Sequence, residues 1–306
     1  MSSFLSDAVA EAPANIIRLA QDAPSPRVAI ARAGAPLPML AAKEAFEANM
    51  MVPVFTGERH MIEDEAAKLD WDISGFELIE AEGEVESGLA AAKACGDGRA
   101  DVLMKGQLHT DNFMRAAVSR DAGLRTGKRF VHIFHITKGD SAITISDAAV
   151  NVNPNIDTRK DATQEVVTLQ HKIGNARPKV AFLSATESAI PSVPSSMEAQ
   201  ELCEWAMANV DGADFSGPLA FDLIMSPTAV QAKKLTDDPV AGQADAIIVP
   251  DIVSGNALFK SFVYLTGGCA GGIVMGAKVP ILLTSRADPA AARLSSIALG
   301  AIVAAG

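Results

Sequence analysis

Thr284-Ser285-Arg286-Ala287-Asp288 follows the apolar run Val279–Leu283, and it sets a hydroxyl, a guanidinium and a carboxylate close together. A serine hydroxyl held rigidly can donate to developing negative charge, and an arginine presents a planar fork of donors that suits phosphate. The preceding run has the length and composition of a buried strand, and open α/β sheets take ligands outside the carboxyl ends of their strands. Ser285 and Arg286 are therefore the first candidates for chemistry. The same letters also fit an ordinary helix start, with Asp288 near the cap and Pro289 in the first turn.

Basic residues gather between positions 105 and 129 and again at Lys278 and Arg286. A local cluster of this kind can hold an anionic ligand even on a chain whose formal charge is -11, a charge that argues against nucleic acid as a partner. Lys105 and Arg115 flank the turn after Asp101–Met104, a strand that ends in polar residues. His109 stands near the start of the next helix, where an anion-binding role and a capping role are both open. The sequence names no carboxylate partner for it.

The elements that must position these residues alternate between strand and helix. Arg27–Ala31, an alanine-rich helix over Pro38–Ala48 and Val52–Phe55 make a β-α-β unit. A short amphipathic helix is expected before it, through Leu19. Helix Arg59–Lys68, strand Phe76–Glu80, helix Val85–Ala94, strand Asp101–Gly106 and helix His109–Val118 extend that layer. The character changes at Phe130–Ile136, which pairs through a turn at Lys138–Asp140 with Ala142–Ser146. Helix Thr158–Ile173, strand Lys179–Leu183, helix Ser196–Ala208, a Gly-Pro loop over Asp214–Phe221 and a helix through Ala232 come next. Strand Ala246–Asp251 and helix Asn256–Tyr264 lead to a glycine-rich stretch, Leu265–Ile273, expected to be a crossover or hinge.

The composition of the 306 residues, 49% apolar with 23 glycines and 5% aromatics, suits sheets covered by small-residue helices and predicts two domains. No apolar run reaches the length of a membrane span, and the N-terminus lacks a basic segment before an apolar one. Three widely spaced cysteines argue against a disulfide scaffold and against a thiolate metal site. A cytoplasmic protein is the expectation. Gly267-Gly268 and Gly271-Gly272 lack the context of a dinucleotide fingerprint and the lysine of a P-loop, and Thr284-Ser285-Arg286 lacks a Gly-x-Ser-x-Gly elbow. His132 and His135 point to opposite faces of a strand and make a poor metal pair.

Several further stretches occur together in one order along the chain. They are Asp101–Gly106 with His109-Thr110 and Arg115; Gly127–Arg129 with His132; Ile145–Ala149 with Asn151; Asp214 with Gly217–Ala220 and Asp222; Asp245 with Val249–Asp251; Gly255-Asn256 with Lys260-Ser261; and Gly276–Pro280 through Asp288. In these the chain resembles the phosphate acetyltransferase and phosphate butyryltransferase family, nearer the butyryltransferase branch.

That resemblance implies an α/β fold of two three-layer domains with a cleft between them, isocitrate/isopropylmalate dehydrogenase-like, in a homodimer or higher homo-oligomer. It implies a first domain of residues 1–128 plus 279–306 and a second of 129–278. The implied reaction is acyl-CoA + phosphate = acyl phosphate + CoA, with short-chain acyl groups passing directly in a ternary complex. Coenzyme A and acyl-CoA enter as substrates, with no tightly bound cofactor and no metal. The resemblance places Ser285, Arg286 and Asp288 in the catalytic cleft and Arg115 at the anion. Lys105, His109, Thr110, Lys128, Asn256, Lys260 and Asp147 are the further phosphate- and coenzyme-binding candidates. Acetyltransferases carry an aspartate seven positions after the serine, where this chain has Ala292, so the proton acceptor is left open. Two other readings stand beside it: a non-catalytic acyl-CoA-binding or regulatory protein, and a decarboxylating NAD(P)-dependent dehydrogenase of related fold.

Overall fold

The computed structural model describes residues 4–283 and 288–305. The chain runs α1 (Ala14–Asp22), β1 (Arg27–Ala31), α2 (Pro36–Glu47), β2 (Val52–Gly57), α3 (Arg59–Lys68), β3 (Glu77–Glu80), α4 (Gly83–Gly96), β4 (Val102–Lys105) and α5 (Thr110–Ala117). It continues through β5 (Val131–Lys138), β6 (Ser141–Ser146), α6 (Ile156–Lys172), β7 (Lys179–Leu183), α7 (Pro194–Asn209), β8 (Asp214–Leu219), α8 (Phe221–Met225), α9 (Pro227–Lys233), β9 (Ala246–Ile248) and α10 (Ile252–Thr266). β10 (Cys269–Met275), β11 (Ile281–Leu282) and α11 (Ala290–Ala304) close it.

The chain divides into two compact units, Ala10–Lys128 with Gly271–Gly306 and Met1–Val9 with Arg129–Ala270. The first unit is built twice over from distant stretches, with the terminal return beginning inside β10. Relative to the expected ranges, the N-terminal segment groups with the middle of the chain, and 271–278 group with the first unit.

In the first unit the strands lie in the order β3-β2-β1-β4-β11-β10. All neighbours are parallel except β11 and β10, which run antiparallel with Val274 opposite Ile281. Parallel strands covered on both faces need apolar side chains throughout, and β1, β2 and β4 are buried along almost their whole length. Phe46, Phe55, Trp71 and Phe76 pack edge to face or tilted beside β2. The apolar run expected as a strand over Val279–Leu283 contributes only Ile281 and Leu282 to the ladder.

In the second unit the order is β5-β6-β9-β7-β8, parallel apart from the β5–β6 hairpin. Its core joins Ile145, Ile247 and Leu183 of the sheet to Leu223, Ile224 and Val230 of α8 and α9.

Two expectations are corrected. The Gly-Pro stretch after Asp214 is strand β8, because it sits at the sheet edge, where a proline forfeits no ladder bond. The glycine-rich stretch is strand β10, buried along its whole length. A Cβ on Gly271 would stand 2.5 Å from Ser295 Oγ of α11, so the glycine serves a close strand-to-helix approach rather than a hinge.

Candidate active site

Successive strands β1, β2 and β3 step outward on one side, and β4 then returns to the other side of β1. The order of the sheet therefore reverses between β1 and β4, and the carboxyl ends of those strands form the crevice where open α/β sheets take ligands. β11 is parallel to β4, with Ile281 opposite Leu103, so its carboxyl end lies on the same edge.

Arg32 leaves β1 in a left-handed conformation, φ 55°. Gly106, just after β4, donates its N–H to the Ala31 carbonyl (3.0 Å), and Gln107 donates to that of Arg32 (2.9 Å). A Cβ on Gly106 would lie 2.4 Å from the Ala31 oxygen and 2.7 Å from the Arg32 oxygen. Gly106→Ala is expected to push the two strand ends apart, costing about 1–3 kcal/mol of stability. Thermal unfolding checks the cost, and a parallel loss of turnover checks that this edge carries the chemistry.

The side chains along this edge form one charged network. Arg32 donates to Glu58, with Nη2 3.0 Å from Oε1, and its Nη1 lies 3.8 Å from Glu84 Oε1. Glu58 also accepts from the Gly83 backbone N–H at the start of α4 (3.0 Å). Burial alone would raise the Glu58 pKa, but the bonds from Arg32 and the backbone outweigh it and hold the carboxyl below its ordinary range. Glu84, in the first turn of α4, accepts from the His109 backbone N–H (2.9 Å) and from Asn112 Nδ2 (2.8 Å). Those two bonds draw its pKa down to about 2, so it is a fixed anion at neutral pH. His109 Nδ1 lies 2.9 Å from both Glu84 oxygens.

Of the expected site residues, Lys105, His109 and Thr110 come together at the end of β4 and the start of α5. Lys105 is buried, 8% exposed, rather than lying on a solvated edge. Thr110 is exposed in the first turn of α5, and Arg115 is exposed in its last turn. Lys128 is exposed at the end of the first unit's leading segment. Ser285 and Arg286 lie outside the described residues. Asp288 is half-buried, and its carbonyl accepts a bond from Arg293 Nη1 of α11.

Asp147 follows β6 in the second unit, buried within its own turn. Its carboxylate accepts from the backbone N–H groups of His132, Ala149 and Val150 (each 2.9 Å) and Asn151 (3.3 Å), and from Asn151 Nδ2 (2.7 Å). Asn256 of α10 donates to the Ala148 carbonyl (3.2 Å), which ties the same turn to that helix. Gly255 makes the approach possible, since a Cβ there would be 2.6 Å from the Asp147 backbone carbonyl oxygen. Lys260, one turn further on, is exposed.

Arg32, Glu58 and Glu84 are functional candidates that the sequence did not single out. The strand-end rule that selected Ser285 applies equally to Arg32, which directly follows Arg27–Ala31. Glu58 and Glu84 carry no such local signal, because only the sheet brings them beside Arg32 and His109. A different guanidinium, Arg159 of α6, is 1% exposed, bonded through Nη1 to Glu198 (2.8 Å), with Nε and Nη2 unpartnered. Burial lowers its pKa.

The three cysteines are free and buried, and burial pushes Cys95 up to about 12 and Cys203 and Cys269 up to about 11. None of them is a thiolate nucleophile at neutral pH. Among the described residues no group of three or more His, Cys, Asp or Glu is arranged to hold a metal ion, and no helix is long and apolar enough to cross a membrane.

Residues 85–301 match the family described as phosphate acetyl/butaryl transferase, a span that begins beside Glu84 and ends within α11. The chain belongs to the phosphate acetyl/butyryltransferase family. It is 38% identical over 268 residues to the phosphate acetyltransferase of Rhizobium meliloti, covering 86% of this chain and 84% of that one. It is 34% identical over 281 residues to the phosphate butyryltransferase of Clostridium acetobutylicum, covering 91% and 93%. A branched-chain phosphotransacylase from Enterococcus faecalis V583 superposes with a TM-score of 0.79 at 26% identity, covering 91% of this chain and 98% of that one. The fold is thus the dehydrogenase-like α/β fold of the phosphotransacylases. The protein is an enzyme of the acyl-transfer class, and the dehydrogenase and binding-protein readings are not favoured.

Proposed function

We propose that this enzyme exchanges a short-chain acyl group between coenzyme A and inorganic phosphate by direct transfer in a ternary complex. The observation that carries the reading is the family match together with a sheet-order reversal whose edge is lined by Arg32, Lys105 and His109. In one direction a phosphate oxygen attacks the thioester carbonyl, the C–O bond forms, and the C–S bond breaks to release coenzyme A. Positioning two substrates side by side supplies much of such a rate, and no acyl-enzyme is required. The high thiol pKa values support a route that bypasses cysteine.

In this reading Arg286 holds phosphate through its planar fork, and Ser285 donates to the oxyanion or steadies the coenzyme A sulfur. Asp288 lies beside them in sequence. Lys105, Arg115, Thr110 and Lys128 face the anionic groups of phosphate and coenzyme A, and His109 stands at the same strand edge. In the second unit Asn256 and Lys260 contribute through α10, and Asp147 contributes by shaping the turn on which α10 rests. The buried free thiols fit a reducing, cytoplasmic compartment. A homodimer or higher homo-oligomer is supported by α10, of whose 15 residues only Gly255 is buried, while Val253, Tyr264 and Leu265 are exposed.

The test is release of coenzyme A thiol from acetyl-, propionyl- and butyryl-CoA with and without phosphate. Phosphate-dependent turnover is expected, with one methylene of acyl chain changing kcat/KM about 10–200-fold. Absence of phosphate-dependent turnover with all three would overturn the reading.

A further inference from the structure

We propose that Glu84 and His109 form the proton-transfer dyad for the coenzyme A thiol. This deepens the acyl-transfer reading and rests on it. Direct transfer in the direction that consumes acyl phosphate requires a thiolate, so a group at the site must take the thiol proton. Ala292 is buried on α11 and offers no carboxylate.

Of the five histidines, His109 alone has a ring nitrogen bonded to a carboxylate among the described residues. Glu84 is ionised and can only accept, so the proton between them sits on His109 Nδ1. The neutral ring then carries its lone pair on Nε2, and the side chain is 79% exposed, whereas Glu84 is 20% exposed. The Glu84 carboxylate is itself fixed by the His109 backbone N–H and by Asn112, so one anion sets both the backbone and the ring of the same residue. Such an orienting carboxylate is what a general base needs in order to present a single nitrogen.

Arg32, after β1, lies beside Glu84 and is bonded to Glu58 after β2. The other charged groups on the elements that carry the dyad are Glu86 in the first turn of α4, Lys105 at the end of β4 and Asp111 in the first turn of α5. Arg32 lies 3.8 Å from Glu84 and balances its charge without occupying the His109 ring.

The step balances as follows. The sulfur proton of coenzyme A passes to His109 Nε2, giving a thiolate and an imidazolium. The thiolate attacks the carbonyl carbon of acyl phosphate, the C–S bond forms, the C–O bond breaks, and phosphate leaves with the bonding pair. In reverse, the imidazolium returns the proton to the departing thiolate.

The experiment measures acyl phosphate plus coenzyme A turnover against pH for the full-length protein, His109→Ala and Glu84→Gln, using acetyl and butyryl phosphate. His109→Ala is expected to lose on the order of 10²-fold in kcat near pH 7. Added imidazole should restore part of that rate. Glu84→Gln should lower kcat about tenfold with the KM for coenzyme A unchanged. A His109→Ala protein that keeps the wild-type profile and rate overturns the dyad. So does one whose loss is matched by a fall in Tm and is not rescued by imidazole, since that marks His109 as a cap of α5. Lack of turnover by the unaltered protein overturns the acyl-transfer reading itself, which separates the two failures.

Discussion

Arg286→Ala is expected to lose phosphate-dependent turnover by about 10²–10³-fold, the usual cost of removing a donor aimed at charge in the transition state. The loss should fall on the phosphate side of the reaction, so that KM for phosphate rises while binding of coenzyme A is kept. Arg286→Lys makes the sharper comparison. A lysine keeps the positive charge but not the two parallel donors, so it should recover only part of the rate. Initial-rate kinetics with phosphate and acyl-CoA varied independently distinguish these outcomes. Unchanged phosphate kinetics in Arg286→Ala would remove the arginine from the proposed role.

The second large effect is on folding. Asp147→Ala would leave the backbone N–H groups of His132, Ala149, Val150 and Asn151 and the Asn151 amide without their common acceptor. An orphaned buried donor such as the His132 N–H costs about 1–3 kcal/mol, and since water reaches the exposed Ala149 and the half-buried Val150 and Asn151, a total loss on the order of 3–5 kcal/mol is expected. For a protein of this size that lowers Tm by roughly 10 °C. Asp147→Asn keeps one carbonyl oxygen but turns an amide toward donors, and should fall between the two. Circular dichroism melts of the three proteins order them. A Tm for Asp147→Ala equal to that of the parent would show that the turn is held by something other than this carboxylate.

Much of the fold was legible because its signals are local. The strand ends at Ala31 and Lys105 stand out as apolar runs closed by polar residues, and β5 and β6 are set by a tight turn. β8 was not legible because Gly217 and Pro218 also make a good loop. What makes them a strand is their place at the edge of the sheet, together with Gly217 packing where a Cβ would meet Phe182 at 2.6 Å. β10 was hidden for a similar reason, since its Gly271 is required by a helix that begins more than fifteen residues later.

The candidate site, with Ser285 and Arg286 as its proposed members outside the described residues, divides in the same way. Ser285, Arg286, Lys105 and His109 carry their signal in neighbouring letters, whether a strand end or a family motif. Glu84 precedes His109 by 25 residues, and only the adjacency of α4 and α5 turns the two into a pair. No periodicity or spacing rule connects a first-turn glutamate with a histidine at the start of the next helix across an intervening strand. The same holds for Arg32 and Glu58, which meet because β1 and β2 are parallel and in register at their ends.

The first unit draws β10, β11 and α11 from the far end of the chain, and β11 lies between β4 and β10 in its sheet. On the ribosome, residues 10–128 therefore emerge with the strand beside β4 still unmade. At about 5–20 residues per second, the middle of the chain occupies on the order of ten seconds before that strand appears. The second unit, almost wholly contained in Arg129–Ala270, is in a position to fold during this interval. The unfinished edge of β4 has to be kept from pairing elsewhere until β11 emerges.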